Sequence, residues 1–118
     1  MDLLAVVAVL VVALLHLGFL ILEMFFWTKP LGKQVFGLSE QQALDSAALA
    51  ANQGLYNGFL AAGLVWGAWL GKEETQVVVF FLLCVIVAGV YGALTAKRSI
   101  LWIQAAPAVI ALLLVWMR

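Results

Sequence analysis

Apolar residues fill four long windows of the chain, 3–27, 47–70, 77–96 and 100–117, and charge is confined almost wholly to the gaps. Asp2, then Lys29, Lys33, Glu40 and Asp45, then Lys72, Glu73 and Glu74, then Lys97 and Arg98, then Arg118 lie between the windows or at the chain ends; only Glu23 lies inside one. A helix needs about 20 mostly apolar residues to cross the hydrocarbon core, so each window predicts one spanning helix. In lipid the backbone must satisfy its own hydrogen bonds, which leaves helices or closed barrels, and the windows lack the alternation of a barrel strand. The predicted fold is an all-α membrane protein: an antiparallel four-transmembrane-helix bundle forming one domain over 1–118.

Two connections, "GKEETQ" and "KRS", are short and predict that the second and third helices pack together, as do the third and fourth. The first connection, 28–46, is longer. Its "KPLGKQVFGL" predicts an irregular strip at the membrane interface, and Ser39 followed by Gln42 is a capping-box pattern that starts the second helix outside the membrane. Pro107 predicts a kink or packing notch in the last helix. Trp27, Trp66, Trp69, Trp102 and Trp116 fall near window ends, where aromatic belts form. Lys29, Lys33, Lys97 and Arg98 share one side of such a bundle against Lys72 and Arg118 on the other, which predicts a multi-pass protein of the inner or plasma membrane with its termini outside the cytoplasm.

Composition agrees: of 118 residues 67% are hydrophobic and 10% charged, against roughly 25% charged in a soluble domain. Mean hydropathy is +1.17. Six Lys plus Arg balance six Asp plus Glu, so nothing points to nucleic acid. The single cysteine, Cys84, sits in an apolar run as a small hydrophobe and has no intrachain disulfide partner. The apolar stretch at the N-terminus has no basic leader and exceeds the roughly 7–15 residues of a secretory signal, so it is expected to be retained as a helix.

The polar residues inside the windows converge in depth. Counted from the window ends on the side of the longer connection, Glu23, Asn52, Gln53, Tyr91 and Gln104 lie four to six residues in. His16 and Asn57 form a second rung roughly 10 Å deeper. His16 and Glu23, seven apart, fall on one stripe of their helix. Asn52, Gln53, Tyr56 and Asn57 spread over an arc of about 140° that also holds Gly63, Gly67 and Gly71, and this face is predicted to look into the bundle. Together His16, Glu23, Asn52, Gln53, Tyr56, Asn57, Tyr91 and Gln104 make a candidate ligand-binding or proton-linked pocket. A carboxylate in hydrocarbon costs at least about 2.5–3.5 kcal/mol, so Glu23 must be protonated, partnered or facing a wet cavity, and amides suit either protonation state. Simpler roles stand beside this one: Asn57 and Gln104 as interhelical contacts, His16 as a packed core residue, Glu23 as an interfacial group past an earlier helix end, and Gly54 with Gly58 as a dimer contact.

No phosphate loop, nucleophile elbow, His-Glu-x-x-His run, paired cysteines or haem or iron–sulfur spacing is present, and no cofactor is implied. Seven-residue spacing separates His16 from Glu23 by about 10.5 Å along the axis, too far to share a metal.

The runs "HLGFLILEMFFWTKPLGKQVFGLS" and "ALAANQGLYNGFLAAGLVWG" resemble the small bacterial membrane proteins grouped as domain of unknown function family 1304, through His16, Glu23, Trp27, Pro30, Phe36 to Leu38 and Asn52 to Gly58. The resemblance covers most of the chain and implies a four-helix membrane protein of this size, without an activity.

Three functional readings stay open. The first is a small-molecule or ion binder and transporter, with Glu23 protonatable or cation-pairing, His16 setting its state, and Tyr56, Tyr91 and Trp27 as aromatic walls. A pathway through so slim a bundle calls for a homo-oligomer. The second is an intramembrane acid–base enzyme acting on a lipid-like substrate, with charge stabilised by Asn52, Gln53 or Asn57. The third is an accessory subunit whose polar face docks another protein's helices.

Overall fold

The computed structural model describes residues 2–118, and among these every regular element is helical. Five α-helices follow in order: α1 Asp2–Phe25, α2 Pro30–Phe36, α3 Glu40–Leu70, α4 Thr75–Thr95 and α5 Ala106–Met117. A one-turn 3₁₀ segment, Lys72–Glu74, precedes α4, and a π-turn, Leu101–Ala105, precedes α5. The stretches Asp2–Phe25 and Lys72–Thr95 are long and apolar enough to cross a membrane; Leu101–Met117 is apolar but shorter. Only 28% and 22% of the most apolar windows of those two stretches is buried. Most of their apolar side chains therefore face outward, unlike those of a soluble core helix.

One periodicity organises the buried positions. On α1 these include Ala5, Val9, Val12, His16 and Glu23; on α3 Ala43, Ala50, Gly54, Asn57, Ala61 and Leu64; on α4 Val78, Leu82, Val85 and Gly89. Steps of three, four and seven residues average 3.5, the repeat that keeps one seam facing a neighbour in left-handed helix packing.

The chain divides into two units. The first comprises residues 2–15 and 60–118, and its core draws on four helices: Val9 and Val12 of α1, Leu64 of α3, Val78, Leu82 and Val85 of α4, and Ala108, Ala111 and Val115 of α5. Small residues set the close approaches. A Cβ on Gly67 would lie 2.7 Å from Val78 Cα, and one on Gly63 would run into the Phe81 ring. Gly89 meets the Ala105 backbone in the same way, with 2.7 Å to its nitrogen. Residue numbers rise on α3 as they fall on α4 in these contacts, so the short connection brings the two helices side by side as expected. The second unit, 16–59, holds the end of α1, all of α2 and the start of α3.

Two local expectations are corrected. The stretch 30–36, expected to be irregular, is a short helix, while α3 begins at Glu40, directly after Ser39 as the capping box predicts. Pro30 stands in the first turn, where its missing N–H costs nothing and its fixed φ suits a helix. Gly37 closes the other end at φ 66, with the N–H groups of Gly37 and Leu38 both directed at the Lys33 carbonyl. Upstream of Pro107 the chain does more than kink: the Ala106 N–H bonds Leu101 O, five residues back. The proline removes a donor and its ring crowds the carbonyl four residues back, and a widened turn relieves both. The predicted capping box is present, with Gln42 N–H donating to Ser39 Oγ at 3.1 Å and Ser39 N–H to Gln42 Oε1 at 2.9 Å.

Candidate functional site

The second unit is built on a close approach of α1 and α3. Small residues at Ala43, Ser46, Ala50 and Gly54 leave α3 nearly flat along one line, and the end of α1 lies against it. A Cβ on Gly54 would come 2.7 Å from Met24 Cγ, 3.1 Å from Glu23 Cβ and 3.2 Å from Leu20 O. Gly58 faces Leu20 Cδ1 at 2.7 Å by the same measure. Trp27 Nε1–H donates to Ser46 Oγ at 3.0 Å, and the Ser46 hydroxyl donates onward to the Gln42 carbonyl at 2.6 Å. The Trp27 ring packs on Phe36 of α2 with centroids 4.7 Å apart. Trp27 thereby ties the α1–α2 connection and the end of α2 to α3.

Within this frame Asn57 Nδ2 donates to Glu23 Oε1 at 2.5 Å. Glu23 is 6% exposed and Asn57 8%, so both are shielded from the surroundings. The partner of the carboxyl is an amide rather than a cation, and the amide N–H can donate to a carboxylate oxygen or to the carbonyl oxygen of a carboxylic acid without moving. His16 is fully buried seven residues earlier on the same stripe of α1, its ring edge-on to Phe19 at 5.2 Å. Among the described residues no group of three or more His, Cys, Asp and Glu side chains is placed to hold a metal ion.

The remaining candidates fall elsewhere. Asn52, Gln53 and Tyr56 are exposed, although the face they share was expected to look inward; further along that face Gly63 and Gly67 are buried against Phe81 and Val78. The buried line of α3 runs through Gly54, Asn57, Ala61 and Leu64 instead, about 100° further round the helix. Close approach decides this: a helix packs through its smallest residues, and Gly54 and Gly58, expected to be a dimer contact on the opposite face, are occupied by α1. Tyr91 and Gln104 belong to the first unit. Tyr91 is exposed, and its carbonyl accepts from Thr95 Oγ1 at 2.7 Å; Gln104 is half-buried within the π-turn. Ser46 was missed by sequence reasoning. Its only signal was its place in the line of small residues at 43, 46, 50 and 54.

A family model described as "Protein of unknown function (DUF1304)" matches residues 10–116. The chain is similar to an uncharacterized protein, YpaA, of Lactococcus lactis subsp. lactis (strain IL1403), at 29% identity over 115 residues, covering 96% of this chain and 97% of the relative. No solved structure matches.

Proposed function

We propose, from the premise that the chain belongs to the DUF1304 family of proteins of unknown function, that it is a multi-pass membrane protein which binds a small molecule or ion and moves it in step with protonation of Glu23. The observation that carries this reading is the hydrogen bond from Asn57 to Glu23 between two buried side chains on different helices. A lysine or arginine partner would hold the carboxyl ionised. An asparagine instead holds either protonation state in one geometry, which is what a group that exchanges a proton or a cation during each cycle requires. His16, on the same stripe of α1, is the residue to set or relay that state.

In this reading α1, α3, α4 and the run Leu101–Met117 form an antiparallel bundle of four spans. At about 1.5 Å per residue, the 31 residues of α3 exceed a 30 Å core by roughly ten, so its capped first turns project into the headgroup layer. Native mass spectrometry of gently extracted protein, wild type beside Glu23→Gln, tests the site. A co-purifying small molecule lost in the variant supports it, as does proton movement into proteoliposomes that the variant abolishes. A wild type that carries no compound and moves protons no faster than the variant overturns it.

A further inference from the structure

Glu23 and Asn57 meet through one atom of each, and each keeps an oxygen in reserve. The carboxyl accepts from Asn57 Nδ2 at Oε1. No other described residue donates to Glu23 Oε2 or to Asn57 Oδ1, although the two residues are only 6% and 8% exposed. An acceptor sealed inside a protein without a donor is costly and rare. Among the described residues the side-chain nitrogen or oxygen sealed in that way is Arg118 Nε, which belongs to the other unit. Glu23 Oε2 and Asn57 Oδ1 are therefore reached through a narrow opening, and what they lack has to arrive from outside. Every atom of this arrangement belongs to residues 16–59, so it is internal to one unit.

The two open atoms dictate what fits. An ionised carboxyl and an amide carbonyl offer lone pairs and no proton, so they repel an anion and call for a donor or a positive charge. The unit supplies none: Lys33 lies 3.8 Å from Glu40, and neither lysine of the unit pairs with Glu23. The count of charges and ligand atoms also sets a limit. One carboxyl brings a single negative charge, and no further His, Cys, Asp or Glu joins it to hold a metal. Calcium takes about 6–8 oxygens and magnesium a near-octahedral set, so a divalent ion is poorly served here. We infer that the ligand of this site is a small monovalent cation, held by Glu23 Oε2 and Asn57 Oδ1. Its charge replaces the proton that otherwise neutralises the carboxyl, which is how its passage and protonation are linked. An alkali ion and an ammonium group share this chemistry.

The inference rests on the reading that Glu23 changes its protonation state, and names what takes the place of the proton. Thermal unfolding of the full chain in detergent tests it, at constant ionic strength, with choline chloride replaced stepwise by sodium, potassium, ammonium or magnesium chloride. At least one of the three small monovalent ions is expected to raise the wild-type midpoint by a few degrees along a saturating curve, and magnesium to leave it at the choline value. The shift is expected to vanish in Glu23→Gln and to persist in Asp45→Asn, which alters an exposed carboxylate on α3. A response to sodium or potassium identifies an alkali ion, and a response to ammonium alone identifies an amine. The absence of any saturating shift, an equal shift in Glu23→Gln, or a larger one from magnesium overturns the monovalent cation. Proton movement into proteoliposomes separates the two readings: if Glu23→Gln abolishes it while no cation shifts the midpoint, the cation falls and the proton-linked role of Glu23 stands. If neither effect is seen, both fall.

Discussion

Asn57 reaches Glu23 from 34 residues further along the chain, and the two side chains are buried together. The two ends of this bond are not equivalent. Glu23→Gln keeps an acceptor oxygen for Asn57, so the cost in folding is expected to stay under about 1 kcal/mol. Asn57→Leu leaves a buried carboxyl without its donor, and about 1–3 kcal/mol is expected to be lost. Unfolding midpoints in detergent should rank wild type and Glu23→Gln close together and Asn57→Leu clearly below. Equal losses for both variants would mean that the bond matters to stability only as a pair of volumes.

Glycines 54 and 18 make a matched contrast. A methyl group at Gly54 would enter the space of Met24 and Glu23, so Gly54→Ala is expected to push α1 and α3 apart at a cost of about 1–3 kcal/mol. A methyl group at Gly18 meets nothing within 4 Å. Gly18→Ala is expected to stabilise α1 by about 0.5–1 kcal/mol, through the smaller entropy of the unfolded chain. The same unfolding assay reads both, and the two substitutions should move it in opposite directions.

Ser39 and Gln42 close the start of α3 reciprocally. Ser39→Ala removes the oxygen that accepts the Gln42 N–H, with an expected cost of about 1 kcal/mol. Hydrogen exchange should quicken in the first turn of α3 and stay unchanged around Asn57, four turns further on.

That cap was legible in the sequence because it is local: two residues three positions apart settle it. The apolar windows at 3–27 and 77–96 were legible for a similar reason, since composition over 20 residues outweighs any single position. The inward face of α3 was not. Asn52, Gln53, Tyr56 and Asn57 look alike as polar letters, yet only Asn57 lies on the line that Ala50, Gly54 and Ala61 leave open to close packing. Steric access, set by residues with almost no side chain, chose which amide met the carboxyl. Pro107 announced a disturbance but not its form, because whether a proline kinks a helix or widens the turn before it depends on what that turn packs against, here Gly89 of α4. The helix α2 had both of its signals in view, Pro30 and Gly37, and was overlooked because seven residues are too few for periodicity to register.

The proposed membrane reading predicts an orientation from the charges near helix ends. Lys29 and Lys33 precede or lie in α2, and Lys97 and Arg98 follow α4; Lys72 opens the turn before α4, and Arg118 donates to the Gly71 carbonyl at 3.3 Å. In the proposed four-span reading the first four of these share one side and the last two the other, and the richer side is expected in the cytoplasm. In a Cys84→Ala background, a membrane-impermeant maleimide added to intact cells is therefore expected to label Glu73→Cys and to spare Ser99→Cys until the membrane is opened. The opposite pattern would reverse the orientation while keeping four spans. Labelling of both from outside would place the two connections on the same side, and the number of spans would have to change.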